Sequence, residues 1–176
     1  MKKEHIVRKL SEQQMQKCMA QIAAGDMDAL KQLYEALYQP VLLFAASFLY
    51  DIEAAKDAVQ ETFIRVYQNA GQYQERSSVK TWIFSIARNL SADMLKKPVC
   101  EELTGELSGC EDLTKLESTD ALSILNHEQQ QIMILSVFGG FQINEIADLM
   151  MIPAEKAYYY KRTAVEKLKA YYFEDR

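Results

Sequence analysis

Cysteine, histidine, glycine and proline are all scarce in this sequence, and each scarcity closes a class of explanation. The three cysteines, Cys18, Cys100 and Cys110, form an odd set without paired spacing. That argues against a disulfide framework and against a zinc site. His5 and His127 stand apart from any other metal-ligating residues and read as surface side chains. Six glycines and three prolines are too few for a turn-rich β architecture. The longest apolar run, Val41 to Tyr50, is broken by Ser47 and is about half of what a bilayer span requires. The opening MKKEHIVRKL has basic residues but neither an apolar h-region nor a small-residue cleavage site, so no signal peptide is expected. No Ser/His/Asp, Cys/His, metal or Gly-rich phosphate constellation is present either. An enzyme is therefore not expected, nor a cofactor. The expectation is a soluble, cytoplasmic protein without membrane insertion.

What is abundant is helix-forming residues, with Ala, Leu, Met, Gln, Glu and Lys dominating a chain that is 49% apolar. The fold class expected is all-α: two small helical domains joined by a flexible linker, the second a helix-turn-helix domain. The net charge of −5 is unevenly spread. Residues 1–97 carry 13 basic and 11 acidic side chains, whereas residues 98–120 carry one Lys and seven acids. Binding follows local patches, so the acidic total does not exclude a nucleic acid partner.

Along the chain, Ser11 and Gln14 suit a capping box that opens a first helix, ending at Gly25. Asp26 caps a second helix to about Leu37, and Pro40 opens a third through Tyr50. Asp51 caps a fourth, with Ile52, Ala55, Val59, Phe63, Val66 and Ala70 as its apolar stripe and Gly71 as its stop. Its outer face shows Asp57, Glu61, Arg65 and Gln68 around Ile64. The stretch Tyr73 to Lys97 reads as one helix in which, after the cap candidates Ser77 and Ser78, Val79, Ile83, Ile86, Leu90 and Met94 face inward. Its other side bears Thr81, Ser85, Arg88, Asn89 and Lys96, with Trp82 and Phe84 on the borders. Such a row suits phosphates and unpaired bases. A solvated helix face with a half-buried Trp is the alternative these residues leave open.

From Pro98 the periodicity lapses into a linker of about 20 residues with an acidic excess. It is either a solvated tether or a negatively charged strand that occupies a basic channel. Beyond it Asn126 caps a helix with Ile132, Leu135 and Phe138 inward, ended by Gly139 and Gly140. A helix lined by Ile143, Ile146, Ala147 and Met150, a corner at Ile152 and Pro153, and a second helix then form a helix-turn-helix. In that second helix Ala157, Ala164 and Leu168 point inward with Tyr160 beside them, while Tyr159, Arg162, Thr163 and Glu166 point out, flanked by Lys156 and Tyr158. Five basic side chains against two acids over residues 155–170 fit an element laid into a major groove.

The blocks DAVQETFIRVYQNAGQY and SSVKTWIFSIARNLSADMLKK together resemble the second conserved region of bacterial sigma factors of the extracytoplasmic-function (ECF) type. ILNHEQQQIMIL and GGFQINEIADLMMIP resemble their fourth region. The resemblance implies a sigma factor of the sigma-70 superfamily that lends promoter recognition to core RNA polymerase, with residues 1–97 as the region 2-like domain, 98–118 as the acidic linker and 119–176 as the region 4-like domain. On that analogy Asp57, Gln60, Glu61, Ile64 and Arg65 dock on core polymerase. Lys80, Thr81, Trp82, Phe84, Arg88 and Asn89 read the minus-ten element of promoter DNA as a melted strand, with one base flipped near Asn89. Lys156, Tyr158, Tyr159, Arg162 and Thr163 contact the minus-thirty-five duplex. An anti-sigma factor is implied as a further partner. The chain departs from the family at Tyr158, Tyr159 and Tyr160, where a basic recognition helix is usual. Lys161 replaces a core residue, Met151 a turn glycine and Gln142 a Ser or Thr cap. Other readings are a helix-turn-helix regulator acting without polymerase, and a polymerase-binding interaction module without initiation activity.

Overall fold

The computed structural model describes residues 10–96 and 119–173, and among these every regular element is helical. The expected linker, residues 98–118, lies outside the described residues, as do His5, Cys100 and Cys110. Helix α1 (Glu12–Ala23) starts at the expected capping box: Ser11 Oγ accepts the Gln14 N–H at 3.3 Å, and Gln14 Oε1 accepts the Ser11 N–H at 2.8 Å. The chain leaves it through Gly25, whose φ of +91° is left-handed. Asp26 Oδ1 then accepts the N–H groups of Asp28 and Ala29 and opens α2.

The division expected at Pro40 is not there: α2 is one helix, Met27–Leu49, with Pro40 inside it. An interior proline costs about 3 kcal/mol through the lost backbone bond and the ring clash. Leu33, Leu37, Val41, Leu42, Leu43 and Phe44 are all buried on either side of it. Burying each such side chain is worth about 1.5–3 kcal/mol, so the uninterrupted apolar surface outweighs the local penalty. Helix α3 (Ile52–Asn69) is capped by Asp51 and ends in a 3₁₀ turn, Ala70–Gln72. Helix α4, Val79–Lys96, starts directly after the cap candidates, with Ser78 Oγ accepting the Thr81 N–H at 3.1 Å; residues 73–78 before it form a turn held by the Tyr73 hydroxyl, which donates to the Ser77 carbonyl at 2.6 Å. Helices α1 to α4 pack together, with α2 at the centre against α3 and α4.

After the short α5 (Thr119–Ser123), α6 (His127–Met133) is capped by Asn126 and runs into a π-helical turn, Ile134–Phe138. Gly139 follows, where a Cβ would stand 2.6 Å from the Leu135 carbonyl oxygen. Helix α7 (Ile143–Met150), a left-handed Met151 and α8 (Ala154–Phe173) complete the helix-turn-helix. The missing Ser or Thr cap at Gln142 is partly made good by Glu145, whose Oε2 accepts the Gln142 N–H at 2.7 Å. Ile143, Ile146, Ala147, Ala157 and Ala164 are buried as expected, joined by Leu149.

The two halves are in contact, and their apolar cores are continuous. Phe84 of α4 packs between Phe44 of α2, at 5.4 Å, and Phe141, at 4.9 Å between ring centroids. His127 is half-buried at the same boundary, against the expectation of a surface residue. Its Nδ1 lies 2.6 Å from the Tyr50 hydroxyl, its Nε2 lies 2.9 Å from Gln131 Nε2, and its ring meets Phe48. Burial lowers its pKa from the ordinary histidine value.

Candidate nucleic-acid interface

On the outer face of α3, Asp57, Gln60, Ile64 and Arg65 are exposed and Glu61 is partly so. Ile64 is 49% exposed. Arg65 Nε bonds Glu61 Oε1 at 3.0 Å, an i,i+4 pair in solvent that contributes little to stability. Beside Ile64 an apolar groove of about 380 Å³ opens between α2 and α3, lined by Met27, Leu30, Tyr34, Gln60, Phe63, Ile64 and Tyr67. The exposed Met27 and Tyr67 were not among the residues singled out in the sequence. Tyr67 stands three residues after Ile64, so a search for paired exposed apolar residues finds it. The groove gives Ile64 company that single exposed residues lack.

A second cavity, of about 290 Å³, lies between the end of α3 and the middle of α4, lined by Arg65, Asn69, Gln72, Trp82, Ile86 and Asn89. Its walls combine an indole edge with amides and a guanidinium, the donor, acceptor and stacking groups an extruded base requires. Trp82 is half-buried and leans on Tyr73, ring centroids 5.4 Å apart. Asn89 is exposed at the rim, and Arg88 Nη1 reaches its Oδ1 at 3.4 Å. Asn69 and Gln72 are additions to the expected set. Arg65, expected on the polymerase-facing side, also borders this cavity. Ile86 belongs to both descriptions, since it is half-buried and lines the cavity.

Not all of the expected minus-ten set shares this surface. Phe84 is fully buried in the aromatic stack and has no face to offer DNA, which removes it from the candidate list. Thr81 is partly buried and turned back on Ser78: its N–H donates to Ser78 Oγ at 3.1 Å and the two hydroxyls lie 2.8 Å apart. Lys80 donates from Nζ to the Gly139 carbonyl at 2.7 Å and lies over the Phe141 ring. Its charge is engaged by the second half of the molecule.

On α8, Lys156, Tyr158, Tyr159 and Arg162 are exposed on the expected side. Arg162 lies over the Tyr159 ring and 3.8 Å from Glu166. Thr163 does not point freely outward, because its hydroxyl accepts from Gln129 Nε2 at 2.8 Å and donates to the Tyr159 or Tyr160 carbonyl. Gln129 is buried and also receives Lys167 Nζ at 3.0 Å. Thr163 thus fastens α8 to α6. Among the described residues no group of His, Cys, Asp or Glu could hold a metal, and no helix is long and apolar enough to cross a membrane.

The family model for sigma-70 region 2 matches residues 33–98, the segment that contains the cavity and all of the groove's lining except Met27 and Leu30. The chain is 27% identical over 139 residues to the RNA polymerase sigma factor YlaC of Bacillus subtilis, covering 70% of this chain and 80% of that one. It is 25% identical over 164 residues to the ECF sigma factor SigW of the same organism, covering 81% and 88%. The chain belongs to the ECF sigma factors of the sigma-70 superfamily. This sigma factor binds core RNA polymerase and directs transcription initiation, and it is not an enzyme. Its fold is that of CnrH, solved in complex with the cytosolic domain of CnrY, at a TM-score of 0.66 and 20% identity over 93% of this chain and 99% of that one. It also matches the sigma factor RpoE of Bartonella quintana, solved with the anti-sigma factor NepR, at a TM-score of 0.60 and 22% identity over 83% and 98%.

Proposed function

We propose that the sigma factor divides its work between two surfaces of its first 97 residues and a third on its helix-turn-helix, residues 119–176, with residues 98–118 connecting them. The outer face of α3, with Asp57, Gln60, Glu61 and Ile64, docks on core polymerase, and the groove beside Ile64 takes an apolar side chain of that partner. The minus-ten element is held as an unpaired strand along α4, one base entering the cavity between Trp82 and Asn89. The observation that carries this reading is the cavity itself: about 290 Å³ of space with an indole, two asparagines and an arginine at its walls. Lys156, Tyr158, Tyr159 and Arg162 on α8 contact the minus-thirty-five duplex. Two exposed tyrosines, Tyr158 and Tyr159, stand there in place of the usual basic side chains, so this contact makes few phosphate bonds and its affinity falls only shallowly with salt. A similar sigma factor has been solved with an anti-sigma factor, and we assign this chain a partner of that kind, to be sought by co-purification from its native host.

Reconstitution with bacterial core polymerase and a cognate promoter tests the division. Asn89→Ala and Trp82→Ala are each expected to lower open-complex formation about tenfold or more while core affinity changes less than twofold, since stacking on the Trp82 ring is worth about 1–3 kcal/mol per base and a hydrogen bond left unmade to an extruded base costs about 1–3 kcal/mol. Ile64→Asp combined with Glu61→Lys is expected to do the reverse. Equal losses in both steps for both sets would refute the assignment. Core binding without transcripts would point to an interaction module, and promoter binding without core to a stand-alone regulator.

A further inference from the structure

Helix α4 is capped partly by a residue from a distant part of the chain. The first N–H groups of any helix lack partners within it, and a carboxylate at that end is favoured by both charge-assisted bonding and the helix dipole. In α4 the Thr81 N–H is satisfied locally by Ser78 Oγ, but the Val79 N–H donates to Glu12 Oε1 at 2.7 Å, across 67 residues of sequence. Glu12 is half-buried in the first turn of α1, which packs on both the 3₁₀ turn and α4. Between these elements runs the 73–78 turn, closed by the Tyr73–Ser77 bond, with the Tyr73 ring against Trp82. Burial, then the Glu12 and Glu75 carboxylates, raise the Tyr73 hydroxyl above its ordinary pKa.

We infer that Glu12 is a positioning residue for the minus-ten strand: by capping α4 from α1 it fixes the 73–78 turn and, through Tyr73, the orientation of the Trp82 indole at the cavity mouth. Glu12 touches no promoter group itself. A helix N-terminus left open would attract a phosphate, whereas here the position is filled from within and the helix end becomes a rigid mount. The inference rests on the reading of the Trp82 cavity given above and adds α1 to the elements that shape it.

Trp82 is the sole tryptophan of the chain, so its emission reports this site without interference. In the full-length protein, Glu12→Ala is expected to shift Trp82 emission to the red and raise its quenching by acrylamide, whereas Glu12→Gln, which keeps an acceptor oxygen, stays close to the parent. With core polymerase and a promoter carrying a fluorescent adenine analogue at the flipped minus-ten position, Glu12→Ala is expected to slow base extrusion about tenfold with core affinity within twofold. Glu12→Gln should recover most of that rate. Unchanged Trp82 emission in Glu12→Ala would overturn the positioning role, as would core affinity falling in step with extrusion, or tighter promoter binding. Trp82→Ala, run alongside, keeps the two ideas apart. If it leaves extrusion intact the cavity reading itself fails; if it abolishes extrusion while Glu12→Ala does nothing, only the role of Glu12 fails.

Discussion

Phe84 and Trp82 lie two residues apart on α4 and have opposite fates. Periodicity places both on the borders between the apolar stripe and the polar face, because the stripe is defined by Val79, Ile83 and Leu90. Whether a border position is covered depends on what else packs there, and Phe141, 57 residues further on, is what covers Phe84. No local pattern carries that information. The same holds for Thr163, whose place on the outer side of α8 is right while its hydroxyl is claimed by the buried Gln129. The residues legible in the sequence were those whose environment is set by their own helix, such as Asn89 and Ile64. The burial of Phe84 yields a prediction at this scale. Phe84→Ala removes a fully buried ring shared by both halves and should cost about 3–5 kcal/mol of stability. Unfolding in denaturant measures this, and core binding and promoter opening should decline together, unlike the selective losses expected for Trp82→Ala.

Elements were legible where a cap announced them. Ser11, Asp26, Asp51 and Asn126 each accept the backbone bonds expected of a helix start. Breaks were less legible, because a break reflects a balance of energies. Pro40 signals a helix boundary locally, yet the apolar surface running from Leu33 to Phe44 carries the helix through it. At the corner of the helix-turn-helix, Met151 adopts φ +54° and is 75% exposed, holding a left-handed conformation with no burial to offset it. Its N–H still reaches the Asp148 carbonyl at 3.2 Å, and the Ile152 N–H reaches that of Ala147 at 3.0 Å, so the turn closes as a glycine turn would. Left-handed backbone costs a non-glycine residue about 1–2 kcal/mol. Met151→Gly is therefore expected to raise the stability of the protein by up to about 1 kcal/mol, part of the relief being lost to glycine's greater freedom when unfolded. The check is a rise in denaturant midpoint at unchanged slope, with no change in core affinity.

At the scale of the whole molecule, two helical regions were evident in the sequence, but their packing against each other was not. It depends on a few residues that have no periodic signature: Tyr50, His127, Lys80, Gly139 and Phe141. Histidine 127 makes this contact sensitive to acid. With Gln131 donating its amide N–H to Nε2, the imidazole holds its proton on Nδ1 and donates to the Tyr50 oxygen, so the neutral ring satisfies both neighbours. A second proton would set Nε2–H against that amide N–H, and the ring is half-buried among Phe48, Tyr50 and Gln131. Glu128 is the neighbouring charge that works in the opposite direction, and burial outweighs it. The folded-state pKa therefore lies below the unfolded value of about 6.5. Above that value both states are neutral and the stabilising contribution is complete. As pH falls from about 6.5 through the lowered folded value, the unfolded chain takes up the proton first and stability declines. Thermal melts of the parent and of His127→Gln between pH 7.5 and 5.5 isolate this effect from carboxylates common to both. The parent should lose more of its Tm than the variant over that interval, and donor and acceptor dyes placed on α3 and α8 should report the two halves separating in the parent alone. Equal losses in the two proteins would show that the boundary does not depend on the charge of His127.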